Sequence, residues 1–171
     1  MTRITIATLV VAFPILAMSH TENTPEQNKA VIRERNERIK RDGPNAGGWG
    51  FADGLKHQGQ PVTRESRVRV MEDIFTTFPD YRTEIVDMVA EGDSVVVRSK
   101  VSGTHLGVGQ LAVNGAMLVG VAPTGKRFVV ENIHWYKLRD GAIVEHYAAR
   151  DDIGMMRQLG LLPSIGLPTA R

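Results

Sequence analysis

The sequence predicts a single α+β domain in which helices precede an antiparallel sheet. Two segments in the first half carry apolar residues at helical spacing, and the chain from Tyr81 to Ala149 shows the two-residue alternation of strands. The pair Asp140 and Gly141 lies between two such strands and is typical of a hairpin turn. Helices grouped before a run of strands are typical of α+β architecture.

The patterns predict three helices and four strands. The helices are expected at 26–41, 63–78 and 153–159, and the strands at 81–90, 94–105, 126–138 and 143–149. In the first strand, Thr83, Ile85, Asp87 and Val89 form one alternating row. The glycine-rich residues 45–60 are expected to form a loop with at most a short strand.

Length and composition exclude several classes of protein. The chain has 171 residues, a one-domain length, and contains no cysteine. Disulfides, thiolate metal sites and a cysteine nucleophile are therefore excluded. The formal net charge is +2, and acidic residues interrupt the basic run at 33–41. Such a run is typical of a solvated helix face, so no nucleic-acid partner is expected.

The first nineteen residues have the order of an export signal. Arg3 precedes a mainly apolar stretch that is too short to span a bilayer comfortably, and Ala17 and Ser19 are small residues at a plausible cleavage site. We therefore expect residues 1–19 to be a signal peptide and residues 20–171 to form one domain. The mature protein would be periplasmic or secreted, without stable membrane insertion. A misassigned start codon before a cytoplasmic protein is the alternative.

Three stretches of the chain, in this order, resemble the SnoaL-like polyketide cyclases of the nuclear-transport-factor-two-like superfamily. They are Phe78-Pro79-Asp80-Tyr81-Arg82, Ser102-Gly103-Thr104-His105 and Arg139-Asp140-Gly141-Ala142-Ile143-Val144-Glu145-His146-Tyr147, with the adjoining segments 90–98, 123–127 and 151–160. The likeness covers about residues 26–162. It implies a curved antiparallel sheet wrapped by helices into a cone, a small-molecule pocket inside, and dimers formed through the sheet.

The same resemblance implies a catalytic pair, of which one member is missing. Cyclases of this family use an aspartate on the last strand, directly after a His-Trp-like pair, beside a histidine on the preceding strand. Here the pair is His146-Tyr147, the next residue is Ala148, and His134 matches the histidine. Alanine cannot move a proton, so the main carboxylate is absent. The excursion at 107–125 is longer than in typical members and is expected to form a lid or rim.

Strand alternation groups polar residues into one candidate pocket. Asn132, His134 and Tyr136 share one face of a strand, and His146 and Arg150 share one face of its partner. Histidine suits proton transfer near neutral pH, and arginine suits an enolate, carboxylate or phenolate oxygen. His134, His146 and Arg150 are therefore the candidate catalytic residues, and Asn132 and Tyr136 are candidate ligand contacts. In the alternative interpretation they are structural, with Arg150 in an ion pair.

Four further residues are candidate ligand contacts. Trp49 and Phe51 follow the first helix, a region that lines the pocket in related folds. Asp53 is the nearest acid to them and could replace the lost carboxylate. His105 ends a strand and could line the pocket mouth, whereas His57 is expected at the surface.

Neither a metal nor a cofactor is expected. The sequence has no His-x-His pair, and its glycines do not follow a strand-to-helix dinucleotide pattern. Two functions remain open. One is a cofactor-independent enzyme of the ester or polyketide cyclase type, performing aldol cyclisation, isomerisation, dehydration or hydrolysis. The other is a non-catalytic protein that binds a small molecule in the same pocket.

We expect a homodimer through the outer face of the sheet. Glu131, Ile133 and Trp135 form a row that faces away from the pocket, and exposed apolar residues on a sheet are adhesive unless covered. Light scattering at micromolar protein should give about twice the 18.8 kDa chain mass. A monomer would contradict this and would mean that a helix of the same chain covers the row.

Overall fold

The computed structural model of the protein describes residues 23–111 and 118–162. The signal-peptide prediction for residues 1–19 therefore lies outside the described residues. Within the described ranges, no helix is both long enough and apolar enough to cross a membrane.

Three α-helices and six strands form the described part of the chain. The helices are α1 (Pro25–Asp42), α2 (Arg64–Thr77) and α3 (Asp152–Gln158), and the strands are β1 (Phe51–His57), β2 (Gln60–Pro61), β3 (Arg82–Glu91), β4 (Ser94–Thr104), β5 (Arg127–Arg139) and β6 (Ala142–Arg150). A 3-10 helix, Gly43–Gly48, follows α1. The predicted α+β class and the positions of all three helices are confirmed.

The strands form one curved, unclosed sheet in the order β2-β1-β6-β5-β4-β3. The predicted antiparallel meander is confirmed from β3 to β6. Residues 45–60, expected to form a loop with at most a short strand, contain the seven-residue strand β1, which pairs parallel to β6. Glycines obscured this strand in the sequence, and its register with β6 shifts between Phe51 and Lys56. The sheet is therefore mixed rather than wholly antiparallel.

Polar side chains at the helix starts explain where the helices begin. Thr24 and Thr63 each accept a hydrogen bond from the third residue of the following helix, and each helix completes a capping box. Asp151 caps α3 by accepting from the backbone nitrogen of Gly154 at 2.7 Å. These local signals fix the helix ends independently of the sheet.

A bulge interrupts the predicted alternation of β3. The register with β4 shifts between Ile85 and Asp87. Beyond this point the buried face changes, because Met88 packs against the core whereas Val89 is 60% exposed. An extra residue in one strand of a pair turns all later side chains to the other face. The expected single row from Thr83 to Val89 is therefore wrong after Ile85.

Two apolar clusters lie at different ends of the strands. One contains Val95, Val97 and Leu138 with residues of α1 and β1, and the other contains Val101, Phe128 and Val130 with residues of α3. The middle of β4 and β5 carries polar residues instead, namely Ser99, Asn132 and His134. This interruption of the core is where a polar site can form.

The outer row of β5 is exposed as the alternation predicts. Ile133 and Trp135 are 42% and 46% exposed, so no described helix covers them. Glu131 pairs across the strand with Arg98 at 3.2 Å. The homodimer through this face stays a prediction.

The excursion after β4 is anchored on the end of α2. The backbone nitrogens of Leu106 and Gly107 both donate to the carbonyl oxygen of Thr77, at 3.0 and 3.1 Å. The backbone nitrogen of Gln110 donates to Asp73 at 2.7 Å. The middle of the expected lid, residues 112–117, lies outside the described residues.

We expect Gly107→Ala to destabilise the protein by about 1–3 kcal/mol, because its methyl group would overlap the carbonyl oxygen of Thr76. Denaturant unfolding measures the loss. Gly109→Ala is the matched control and should cost less, since the nearest atoms to its methyl group lie at 3.2 and 3.3 Å and do not overlap it as Thr76 overlaps that of residue 107. Equal stability of Gly107→Ala and the wild type would contradict the close packing of the excursion.

Candidate functional site

An internal cavity of about 450 Å³ lies between the inner face of the sheet and the helices. Part of its polar lining comes from β5 and β6, which contribute Asn132, His134, Tyr136, His146 and Arg150. Ligand cavities of drug-sized molecules have similar volumes. The five residues that strand alternation groups together therefore do share one cavity.

Strand pairing fixes how these residues face one another. In the β5–β6 register, His134 lies opposite Ala148 and Asn132 lies opposite Arg150. Ala148 itself lines the cavity. The position at which the resemblance implies an aspartate is thus directly across from His134, and its small methyl side chain leaves space there.

Three histidine rings meet at one side of the cavity. Nδ1 of His134 and Nε2 of His146 are 3.0 Å apart, a hydrogen-bond distance. The ring of His146 stacks on that of Tyr136, with centroids 4.6 Å apart. The ring of His57 also contacts His146, with centroids 4.9 Å apart. The expectation that His57 lies at the surface is wrong, because the parallel pairing of β1 with β6 brings it beside His146.

The histidines are neutral at neutral pH. Burial, followed by the positive charge of Arg150, lowers the pKa of His134 to about 4. Burial and the charge of Arg67 lower the pKa of His57 to about 4. Burial, the neighbouring His134 and then Arg67 lower the pKa of His146 well below its usual value. A low pKa keeps the linked rings uncharged while leaving them able to exchange a proton with a ligand.

Two arginines from the helices also line the cavity, one buried and one partly buried, and the sequence analysis missed both. Arg35 of α1 donates to the carbonyl oxygens of Trp49 at 2.6 Å, Gly47 at 3.0 Å and Ala46 at 3.3 Å. Burial lowers the pKa of Arg35 to about 10, so it remains charged. Its predicted place on a solvated helix face is therefore wrong.

Arg67 of α2 differs from Arg35 in its lack of acceptors. None of the described residues accepts a hydrogen bond from its guanidinium, and its Nε is fully buried. Burial lowers the pKa of Arg67, and the charge of Arg150 lowers it further. Helical spacing was the available signal, since Arg67 shares the face of Met71 and Ile74, which also line the cavity.

Four residues predicted as ligand contacts lie elsewhere. Trp49 packs under the guanidinium of Arg38, with 4.6 Å between the charge centre and the ring centroid. Phe51 belongs to the apolar core. The side chain of Asp53 is 91% exposed and pairs with Arg64 at 3.4 Å, so it does not replace the lost carboxylate in the cavity. His105 is fully buried behind the excursion, where its Nδ1 accepts from the backbone nitrogen of Thr124 at 3.3 Å.

The lining offers little to a metal ion. In the described part of the chain, no group of three His, Cys, Asp or Glu residues is arranged to hold one. Asp152 is the carboxylate that lines the cavity, and it lies 3.4 Å from Arg150. The chemistry open to this arrangement is hydrogen bonding, proton exchange by imidazole, and stabilisation of negative charge.

Solved structures with the same fold span nearly the whole domain. AclR of Streptomyces galilaeus, provisionally described as a hydroxylase, is 26% identical, with a TM-score of 0.66 over 82% of this chain and 100% of that one. IdmH of Streptomyces antibioticus, provisionally described as a polyketide cyclase, is 27% identical, with a TM-score of 0.63 over 78% of this chain and 99% of that one.

A SnoaL-like polyketide cyclase from Jannaschia is 20% identical, with a TM-score of 0.67 over 84% of this chain and 99% of that one, and shows the shared fold. No curated protein sequence matches the chain significantly. The family model of SnoaL-like polyketide cyclases matches residues 30–159, which include every strand of the sheet and the whole polar lining described above. The chain therefore belongs to the SnoaL-like polyketide cyclase family.

Proposed function

We propose that the protein is a small-molecule enzyme of the ester or polyketide cyclase type, which uses its own side chains for acid/base chemistry in the internal cavity. The observation that carries this proposal is the 3.0 Å contact between His134 and His146 in the cavity wall. Two hydrogen-bonded imidazole rings can take up or release a proton while the rings stay in place. The reactions open to it are aldol cyclisation, isomerisation, dehydration and hydrolysis.

His134 is the ring that would meet the substrate. Its Nδ1 is engaged by His146, so Nε2 is left to exchange a proton with a ligand. Its pKa of about 4 makes it neutral at neutral pH, so it can act as the base without first losing a proton. His146 holds the ring in place and can share the transferred proton across the hydrogen bond.

Asn132 and Arg150 would stabilise the oxyanion that forms as the proton moves. They lie opposite each other in the strand register. The Oδ1 of Asn132 accepts from the backbone nitrogen of Asp151 at 3.2 Å, which orients its amide and leaves its NH₂ group available. Donors fixed in advance around a developing negative charge contribute a large part of such catalysis.

A non-catalytic binding protein is the second candidate function. Ala148 favours it, because the residue across from His134 carries no acid/base group. The same cavity and donors would then hold a ligand without transforming it. In either case we propose an exported protein that works as a homodimer on a small molecule.

His134→Ala should lower turnover by about a hundredfold to ten-thousandfold, because it removes the acid/base group at the ligand. Arg150→Lys should lower it less, since the charge remains while planar two-point contact is lost. Rates measured on a panel of polyketide and β-keto ester substrates test this. Tyr147→Phe, on the outer face of β6 beside Trp135, is the matched control and should keep the wild-type rate. Turnover unaffected by both cavity variants would remove the site assignment.

Ala148→Asp should raise turnover, because it places a carboxylate across from His134 at the position where the family's aspartate is implied. The negative charge should also raise the pKa of His134, which NMR titration of the ring protons measures. A loss of ligand binding without any gain in rate would favour the binding protein, since an unpaired charge in a confined site is costly.

A further inference from the structure

We propose that the cavity takes an organic anion, with a carboxylate or enolate oxygen held by Arg67 and Arg150 and an apolar body held by the strands. This rests on the proposed function in that it names the substrate class of the same cavity. It adds Arg67, which no strand pattern or family motif points to, as the anchor of the ligand.

The charges that line the cavity do not balance. Among the described residues, three guanidiniums, from Arg35, Arg67 and Arg150, line it together with one carboxylate, that of Asp152. Asp152 pairs with Arg150, which is exposed to solvent, and the three histidines are neutral, so Arg35 and Arg67 have no carboxylate partner within the described ranges. Desolvation of an unpaired charge is unfavourable, and a bound anion would remove the cost.

A comparison of Arg35 with Arg67 shows which guanidinium has donors available for a ligand. Arg35 is as buried as Arg67 or more so, but three carbonyl oxygens accept its hydrogen bonds. Arg67 has its Nε buried without an acceptor, and its charge centre lies 5.5 Å from the ring centroid of Phe51. A guanidinium with unused donors that lines a cavity is suited to two-point contact with a carboxylate.

The histidine pair leaves one further ring nitrogen for a ligand. One proton lies between Nδ1 of His134 and Nε2 of His146, so Nε2 of His134 is the ring atom not used by the pair. When His146 is the donor, Nε2 of His134 carries a proton and can donate to an anionic oxygen. When His134 is the donor, its Nε2 is unprotonated and can act as the base.

Much of the remaining lining is apolar and favours a ligand with an apolar body. Val97, Val101, Phe128 and Val130 come from the strands, and Met71 and Ile74 come from α2. Polar groups in the middle of the strands with hydrocarbon at both ends match an amphiphilic acid. A small inorganic anion would leave the apolar surfaces unfilled.

Isosteric pairs of acids and amides test the charge of the ligand directly. Calorimetry at pH 7 would compare benzoate, 2-naphthoate and anthracene-2-carboxylate with their own amides, so that size varies while shape within a pair does not. We expect the acid of at least one pair to bind about tenfold to a hundredfold more tightly than its amide, because a hydrogen bond to a charged group is worth more than one to a neutral group. Absence of an acid preference in all three pairs would overturn the proposal.

Arg67→Met tests the anchor. It keeps most of the side-chain volume, and we expect it to weaken binding of the acid more than that of the amide, so that the preference for the acid falls about tenfold. Arg98→Met is the matched control, because Arg98 pairs with Glu131 on the outer face, and it should keep the preference. An acid preference in Arg67→Met as large as that of the wild type would overturn the assignment of Arg67.

Histidine titration by NMR gives a readout that does not depend on ligand fit. His134 faces Arg35, Arg67 and Arg150 across the cavity, together with the neutral His57 and His146. Its pKa should rise in Arg67→Met and, in the wild type, on binding the acid but not the amide. An unchanged pKa in Arg67→Met would contradict the proposal even if that variant bound neither probe.

The outcomes also separate this inference from the proposed function. Preferential binding of acids without turnover of any substrate would keep the anion site and favour the binding protein. Turnover that depends on His134 with equal binding of acids and amides would keep the enzyme and remove the anion site.

Discussion

The buried guanidinium of Arg35 ties the helical layer to the sheet. It reaches from α1 to three carbonyl oxygens in the turn that leads into β1, and it covers the ring of Phe51 at 4.4 Å. Without Arg35 the carbonyl of the buried Gly47 would lose its donor, a cost of about 1–3 kcal/mol. The position of β1, and with it the place of His57 beside β6, depends on this contact.

The guanidinium charges in the cavity then affect the protonation of its histidines. A family aspartate would normally offset buried cations, but its position holds Ala148. The guanidiniums lower the pKa values of the histidines beyond the effect of burial. A carboxylate at position 148, as the resemblance implies, would oppose this effect.

A bound anion would link this balance to function. Its negative charge would offset the guanidiniums and bring the histidines closer to the pKa at which imidazole exchanges protons readily. Binding of the ligand would in this way raise the pKa of the histidine that exchanges a proton with it. If the proposed function holds, this would account for proton transfer in a cavity that lacks the aspartate implied by the resemblance, and anion binding is common to the enzyme and binding hypotheses.

The sequence by itself determined the α+β class, the helix ends and the inward rows of β5 and β6, because caps and two-residue alternation are local properties of the chain. It placed Asn132, His134, His146 and Arg150 together for the same reason. Only the tertiary structure brought His57, Arg35 and Arg67 to the cavity and left Asp53 in solvent. These positions depend on the parallel pairing of β1 with β6 and on how α1 and α2 pack on the sheet. Packing joins residues far apart in the chain, and a bulge such as that in β3 reverses a face without a clear mark in the local pattern.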